Sequence, residues 1–279
     1  MTVEVVRAAV VQMDVRIGET EAKLERVIER LAEAAESGAR LVVFPELALS
    51  GYCFNSLEDA KPFALTSADA TIASVCAEAE RLDVTVVMGF FEVSGGNYFN
   101  SAVIASAVGG ASNVYRKTHL PTIGVDRFIS KGNHLDVYDT SAGKLGVLIC
   151  YDMRFPEAAR TLGLKGAEII TLPTNWPEGA ESSRDFIGRT RAWENRVYLL
   201  AANRVGVERS RRFIGSSQIV SPTGELLAKA GENEETILYA DLDLRLTHQK
   251  RIVIEPGEWE LDITGDRRPD LYGELTRSG

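Results

Sequence analysis

Three cysteines and three histidines in 279 residues leave little material for a disulfide framework or a metal centre. Cys53, Cys76 and Cys150 stand at wide, unpatterned spacing, without the paired Cys and His spacings of a zinc site. A reducing compartment suits such a chain. Long apolar runs are missing as well. Nothing approaches the roughly 18 residues needed to cross a bilayer, and Glu4 and Arg7 interrupt the first apolar stretch, so neither a membrane anchor nor a signal peptide is read there. Basic stripes are scarce too. With 31 Lys and Arg against 40 Asp and Glu the net charge is −9, the wrong sign for neutralising phosphates, and no nucleic-acid partner is expected. The nearest approach is the cluster Arg204, Arg209, Arg211 and Arg212. Interleaved with Glu208, it reads as a solvated loop, with binding of an anionic substrate as the alternative. No linker rich in Pro, Gly or Ser divides the chain. These absences point to a cytoplasmic protein with one domain over residues 1–279.

What is present is a regular alternation of short Val, Ile, Leu and Phe runs with helical patterns. Residues 3–12 read as a strand, 20–37 as an amphipathic helix between Thr20 and Gly38, and 41–44 as a buried strand. A helix near 67–82 precedes a strand over 84–91, and Ser94-Gly95-Gly96-Asn97 turns the chain back as a hairpin. The second half repeats the theme. A strand ends at Cys150, a helix covers 156–165, a strand 168–172, a helix 183–195 and a strand 196–202, and further strands lie near 214–220, 225–230 and 236–242. Strand–helix units with antiparallel additions predict an α/β fold built on mixed sheets. Residues 244–279 are polar and weakly periodic, and are read as an extension that packs at a subunit interface.

The chemistry concentrates at three points. Cys150 ends the apolar run Leu145-Gly146-Val147-Leu148-Ile149 and is followed by a helix start marked by Pro156. A strand that turns sharply into a helix exposes the side chain at the turn, and the positive helix end favours thiolate over thiol. Glu46 follows Pro45 at the end of a buried strand, where an apolar neighbourhood raises a carboxyl's pKa and lets it exchange a proton near neutral pH. Lys117 follows a short strand-like segment, and its ammonium is suited to stabilising an oxyanion. His119 offers a rival Cys–His pair of the thiol-protease kind.

Together the segments around these residues resemble the carbon–nitrogen hydrolase (nitrilase) superfamily. Residues 44–52 are similar to its glutamate motif, 115–121 to its lysine motif and 148–160 to its cysteine motif, in the same chain order. Further similarity at 166–177, 191–206 and 217–228 extends the resemblance over nearly the whole chain. It implies an α-β-β-α sandwich that associates as a homodimer or higher homo-oligomer into a longer layered stack. It also implies Glu46 as general base, Cys150 as nucleophile, and Lys117 with the Tyr151 backbone N–H as oxyanion hole, without metal or organic cofactor. Many members carry a second glutamate after the lysine. The only acid in that loop here is Asp126, read as its shorter replacement, with an ordinary loop acid beside Arg127 as the alternative. By analogy Tyr52, Arg154, Phe155, Asn175 and Trp176 line the substrate site. Tyr151-Asp152 after the cysteine resembles the small-amide branch, which includes omega-amidases, more than nitrile-specific members. The substrate implied is a small aliphatic or carboxylated amide, and an N-carbamoyl hydrolase is the alternative. A non-catalytic sensor that keeps the fold is the rival from another class.

Overall fold

Alternation of buried side chains along the strands dictates the layering. The computed structural model describes residues 4–106 and 112–277. Its first half contains β1 (Val5–Asp14), α1 (Thr20–Glu36), β2 (Leu41–Val43), the short α2 (Leu57–Ala60), α3 (Ala70–Arg81), the hairpin β3 (Thr85–Ser94) and β4 (Asn97–Ala105), and β5 (Asn113–Arg116). In β1, Val6, Ala8 and Val10 point to one side and Ala9, Val11 and Met13 to the other, and all six are buried. A strand buried on both faces needs a covering layer on each. Val27 and Leu31 of α1, with Ile72, Val75 and Ala79 of α3, cover the second set.

The first set meets another sheet. The second half contributes β6 (Val137–Thr140), β7 (Gly143–Val147), α4 (Pro156–Leu164), β8 (Ile169–Pro173), α5 (Gly188–Asn195), β9 (Tyr198–Ala202) and β10 (Arg204–Val205). The hairpin β11 (Val207–Glu208) and β12 (Arg211–Arg212) follows, then β13 (Gln218–Val220), β14 (Leu226–Lys229) and β15 (Thr236–Asp243). Leu145, Val147, Ile169 and Leu200 face Val6, Ala8 and Val10 across the sandwich, while Ile170, Leu172, Leu199 and Ala201 pack against Ala158, Ala159 and Leu162 of α4 and Ala192 of α5. The result is the four-layer α-β-β-α sandwich. Both sheets have a parallel centre, β1-β2-β3 and β7-β8-β9, flanked by antiparallel strands, and the short β10 adds a parallel pair at the end of β1. β15 crosses back to pair with β1 from Val5 to Gln12, so the last long strand closes the first sheet. No helix among the described residues is long and apolar enough to cross a membrane.

Most predicted elements appear with trimmed ends. Asp69 accepts the Thr71 N–H and sets the start of α3 at Ala70. The strand expected near 214–220 shortens to β13, because the N–H groups of Phe213, Ile214 and Gly215 bond to Gly206, Trp176 and Arg204 carbonyls instead of a neighbouring strand. Two readings are corrected. Beyond 244 the chain is not featureless: α6 (Arg245–His248) is followed by a hairpin, β16 (Arg251–Glu255) and β17 (Trp259–Asp262), with Val253, Ile254, Trp259 and Leu261 exposed. The turn chemistry of Pro256-Gly257 signalled it. The arginine cluster is not wholly solvated. Arg204 is fully buried, with one Nη on Glu208 at 3.1 Å, the other on Asp14 at 3.2 Å, and its guanidinium 4.1 Å from the centre of the Phe213 ring.

An interior guanidinium is tolerable only while its carboxylates remain, and the reverse holds for them. Arg204→Ala is therefore expected to lower unfolding stability by about 3 kcal/mol. Urea denaturation measures this, and a loss below about 1 kcal/mol would refute the pairing argument.

Candidate active site

Glu46 reaches the interior because the chain after β2 stays buried from Phe44 to Tyr52. Phe44 N–H donates to the Val87 carbonyl, Leu47 adopts a left-handed φ of 51°, and Ala48 N–H donates to Gly89 at 2.9 Å. Gly89 sits directly under this turn. A Cβ there would lie 2.6 Å from Glu46 Cα and 2.7 Å from the Pro45 carbonyl, so only glycine lets β3 carry the loop. Lys117 follows β5, and its N–H donates to the Asn100 carbonyl of β4 at 2.8 Å.

These segments bring a closed set of charges together. Lys117 Nζ donates to Glu46 Oε1 and to Asp126 Oδ2, each at 2.6 Å, and all three side chains are buried. Asn100 Nδ2 donates to Glu46 Oε1 at 2.7 Å and Asp126 Oδ1 at 3.0 Å, and the Tyr52 hydroxyl donates to Asp126 Oδ2 at 2.9 Å. Burial disfavours the Lys117 ammonium, yet Asp126 and Glu46 outweigh it and hold its pKa well above the usual lysine value. Burial pushes the Glu46 carboxyl up; Lys117 opposes this and Asp126 reinforces it, leaving it above the usual carboxylate range. Its Oε2 is buried and accepts no hydrogen bond.

Cys150 stands where the chain leaves β7. Its φ of 47° is left-handed, an uncommon conformation for a residue with a Cβ, and it opens a 3-10 turn over Cys150–Arg154. Burial and the charge of Glu46 raise its thiol to about 12, against the opposing pull of Lys117, the Thr174 hydroxyl and the Asn175 N–H. The resting group is a thiol, which corrects the thiolate expected from a helix end alone. Tyr151 lies in the first turn, where N–H groups lack intrahelical acceptors.

One residue that binds these parts was read only as a branch marker. Asp152 is fully buried and accepts hydrogen bonds from the Tyr115 hydroxyl (2.7 Å), the Thr118 hydroxyl (2.9 Å), the His119 N–H (2.8 Å) and the Ile149 N–H (3.0 Å). It thereby fastens the lysine segment to the cysteine turn. His119 Nδ1 also lies 2.8 Å from Asp152, and its ring stacks on Phe155 with centroids 3.8 Å apart. His119 thus serves Asp152 and does not line the Cys150 cavity, which removes the Cys–His alternative.

That cavity has a volume of about 220 Å³, and Tyr52, Cys150, Tyr151, Arg154, Asn175 and Trp176 line it. Phe155 does not. Its ring is occupied by His119 on its face and Tyr151 at its edge, so the substrate-contact reading of Phe155 is corrected. Asn175 Nδ2 braces the Glu46 carbonyl at 3.1 Å, and Trp176 N–H donates to Asn203 Oδ1 at 2.8 Å. Asn100, Asn203 and Asp152 were missed. Their signal is a polar residue inside or beside an apolar buried run, as in Asn100 before Ser101-Ala102-Val103-Ile104. Gly89→Ala should displace the Glu46 turn and cost about 1–3 kcal/mol. Thermal unfolding and the rate of Cys150 alkylation together check this, and a variant indistinguishable in both would contradict it.

Comparison with known proteins agrees with the geometry. The carbon-nitrogen hydrolase family model matches residues 7–252. A protein named nitrilase from Pyrococcus abyssi is 37% identical, covering 96% of this chain and 99% of its own. An N-carbamoylputrescine amidase from Solanum lycopersicum is 35% identical, over 88% of this chain and 87% of its own. The crystal structure of a carbon-nitrogen hydrolase from Helicobacter pylori superposes with a TM-score of 0.87 at 30% identity, covering 98% and 99% of the two chains. A sandwich that buries an acid paired with a lysine where both act on one cysteine, with a family model over residues 7–252 and relatives matching end to end, places this chain in the carbon-nitrogen hydrolase family, as an enzyme of the nitrilase superfamily.

Proposed function

We propose that the protein hydrolyses a small linear amide to a carboxylic acid and ammonia through a thioester on Cys150. The observation that carries this reading is the buried Glu46 carboxyl, with Oε1 held by Lys117 and Oε2 unpartnered, whose charge acts on Cys150. Glu46 takes the sulfur's proton as sulfur attacks the amide carbon. Two of the three Lys117 N–H donors are committed to Glu46 and Asp126, which leaves one for the developing oxyanion beside the Tyr151 N–H. When the C–N bond breaks, Glu46 returns the proton to the departing amine. It then takes a proton from the water that attacks the thioester, and finally restores the thiol. Asp126, held by Tyr52 and Asn100, positions the lysine and does not attack.

The cavity volume favours a small acyl group. Arg154 is exposed on its wall, and its guanidinium enters no ion pair among the described residues, so a carboxylate on the acyl chain has a ready partner. The N-carbamoylputrescine amidase relative favours a second reading, in which the scissile group is an N-carbamoyl group and carbon dioxide accompanies ammonia.

Ammonia release from a panel of small amides, N-carbamoyl compounds and nitriles is expected for amides and to disappear in Cys150→Ala. Carbon dioxide release would instead select the carbamoyl reading. Silence of the whole panel, with no acyl adduct on Cys150 detected by mass spectrometry, would favour a non-catalytic protein. The pH dependence follows from the same groups. Protonated Glu46 cannot act as base, so kcat/KM should fall as pH drops through its raised pKa, above the usual carboxylate range. The thiol ionises only near 12, so it adds no break around neutral pH. Glu46→Gln should reduce kcat/KM by about 10²–10⁴-fold. An unchanged acid limb in that variant would dismiss Glu46 as the base.

A further inference from the structure

The Cys150 cavity adjoins another. Tyr52, Ile123, Pro177 and Glu178 line both it and a second cavity of about 540 Å³. Arg127, Arg209, Arg211 and Arg212 also line the larger one, with Glu178 the only acid among its lining residues. On a chain of net charge −9, such a concentration of one sign runs against the composition.

The pairing of these arginines determines what is left for a ligand. Arg212 lies 3.1 Å from Glu178 and 3.4 Å from Glu232, and Arg209 forks onto both oxygens of Asp59. Arg127 donates to the carbonyls of Gly124 and Phe54 and stacks on Phe128, with no carboxylate paired to it among the described residues. The Arg211 guanidinium enters no hydrogen bond or ion pair among the described residues. Two of the four cations thus have no carboxylate partner among the described residues.

The backbone holds this wall in place against local preference. The register Val207↔Arg212 and Glu208↔Arg211 leaves Arg209-Ser210 as a two-residue turn, with φ of 45° and 67°. Asn-Gly suits a turn with two left-handed residues; arginine and serine hold it at a cost of order 1 kcal/mol each. Glu208, in the same hairpin, accepts the N–H groups of Tyr52 (2.9 Å) and Cys53 (2.6 Å) and the buried Arg204. The basic wall is therefore tied to the loop that forms the boundary between the two cavities.

We propose that the second cavity is a subsite for a carboxylate at the far end of an extended amide substrate whose scissile bond lies at Cys150. The proposal rests on the amide reading above and extends it. A short carboxylated chain ends at Arg154 in the inner cavity, whereas a longer one passes Tyr52 and Ile123 to reach Arg127 and Arg211. The planar fork of a guanidinium suits a terminal carboxylate.

Calorimetric titration of the Cys150→Ala protein tests this with linear amides of increasing length that end in carboxylate, methyl or amine. Once the tail spans both cavities, the carboxylate should bind about tenfold more tightly than the methyl of equal length. Arg211→Glu in the same background should reverse the order and favour the amine. Equal affinity of the three tails at every length, or a carboxylate preference that survives Arg211→Glu, would overturn the subsite. Turnover of the same compounds by the unmutated enzyme reads the other claim separately. Tail-dependent binding without cysteine-dependent ammonia release would keep the subsite and dismiss the amide chemistry.

Discussion

An ammonium taken wholly out of water survives only in contact with negative charge, and Lys117 is such a group. Its burial costs several kcal/mol before any pairing, so the two carboxylates at 2.6 Å are a condition of the fold as well as of the chemistry. Glu46 comes from the end of β2, Asp126 from the loop after Lys117, Asn100 from β4 and Tyr52 from the segment after Glu46. Three separate pieces of chain converge because one cation requires them. The constraint also fixes the orientation of Glu46. With Oε1 held by Lys117 and Asn100, only Oε2 remains free to handle a proton.

The same electrostatics govern the sulfur. A thiol next to a carboxylate in a buried site resists ionisation, and Lys117 offsets that only in part. Reactivity then depends on proton transfer during attack and not on a standing thiolate, which suits a site whose acid must later give the proton back. Geometry has to be maintained across two segments far apart in sequence. Asp152 does this by accepting hydrogen bonds from both the lysine segment and the cysteine turn. Through its contacts with Asp152 and Phe155, His119 becomes a member of the brace.

Much of this was legible in the sequence, and the reason is locality. The apolar run of β1, buried on both faces, and the apolar stripe of α1 follow from residues close in the chain, as do the strand-end positions of Glu46 and Cys150. Asp126 was singled out because it is the only acid in its loop, and the structure places it on Lys117. What escaped depends on distant partners. Arg204 looks like a surface arginine until Asp14, which precedes it by most of the chain, closes on it. Asn100 reads as an ordinary strand residue unless both carboxylates it serves are known. Phe155 looks like a pocket wall until His119 stacks on it, and β16, with Ile252, Val253 and Ile254 in one run, lacks the polar alternation that marks a half-buried strand.

Infrared difference spectroscopy of the unmutated protein against Cys150→Ser, followed across pH, tests the central claim most directly. The claim is that a neutral Cys150 thiol stands beside a Glu46 carboxylate held by Lys117. The account predicts a Cys150 S–H stretch that persists from neutral pH into the basic range. Absence of that stretch at neutral pH, with a thiolate in its place, would contradict it.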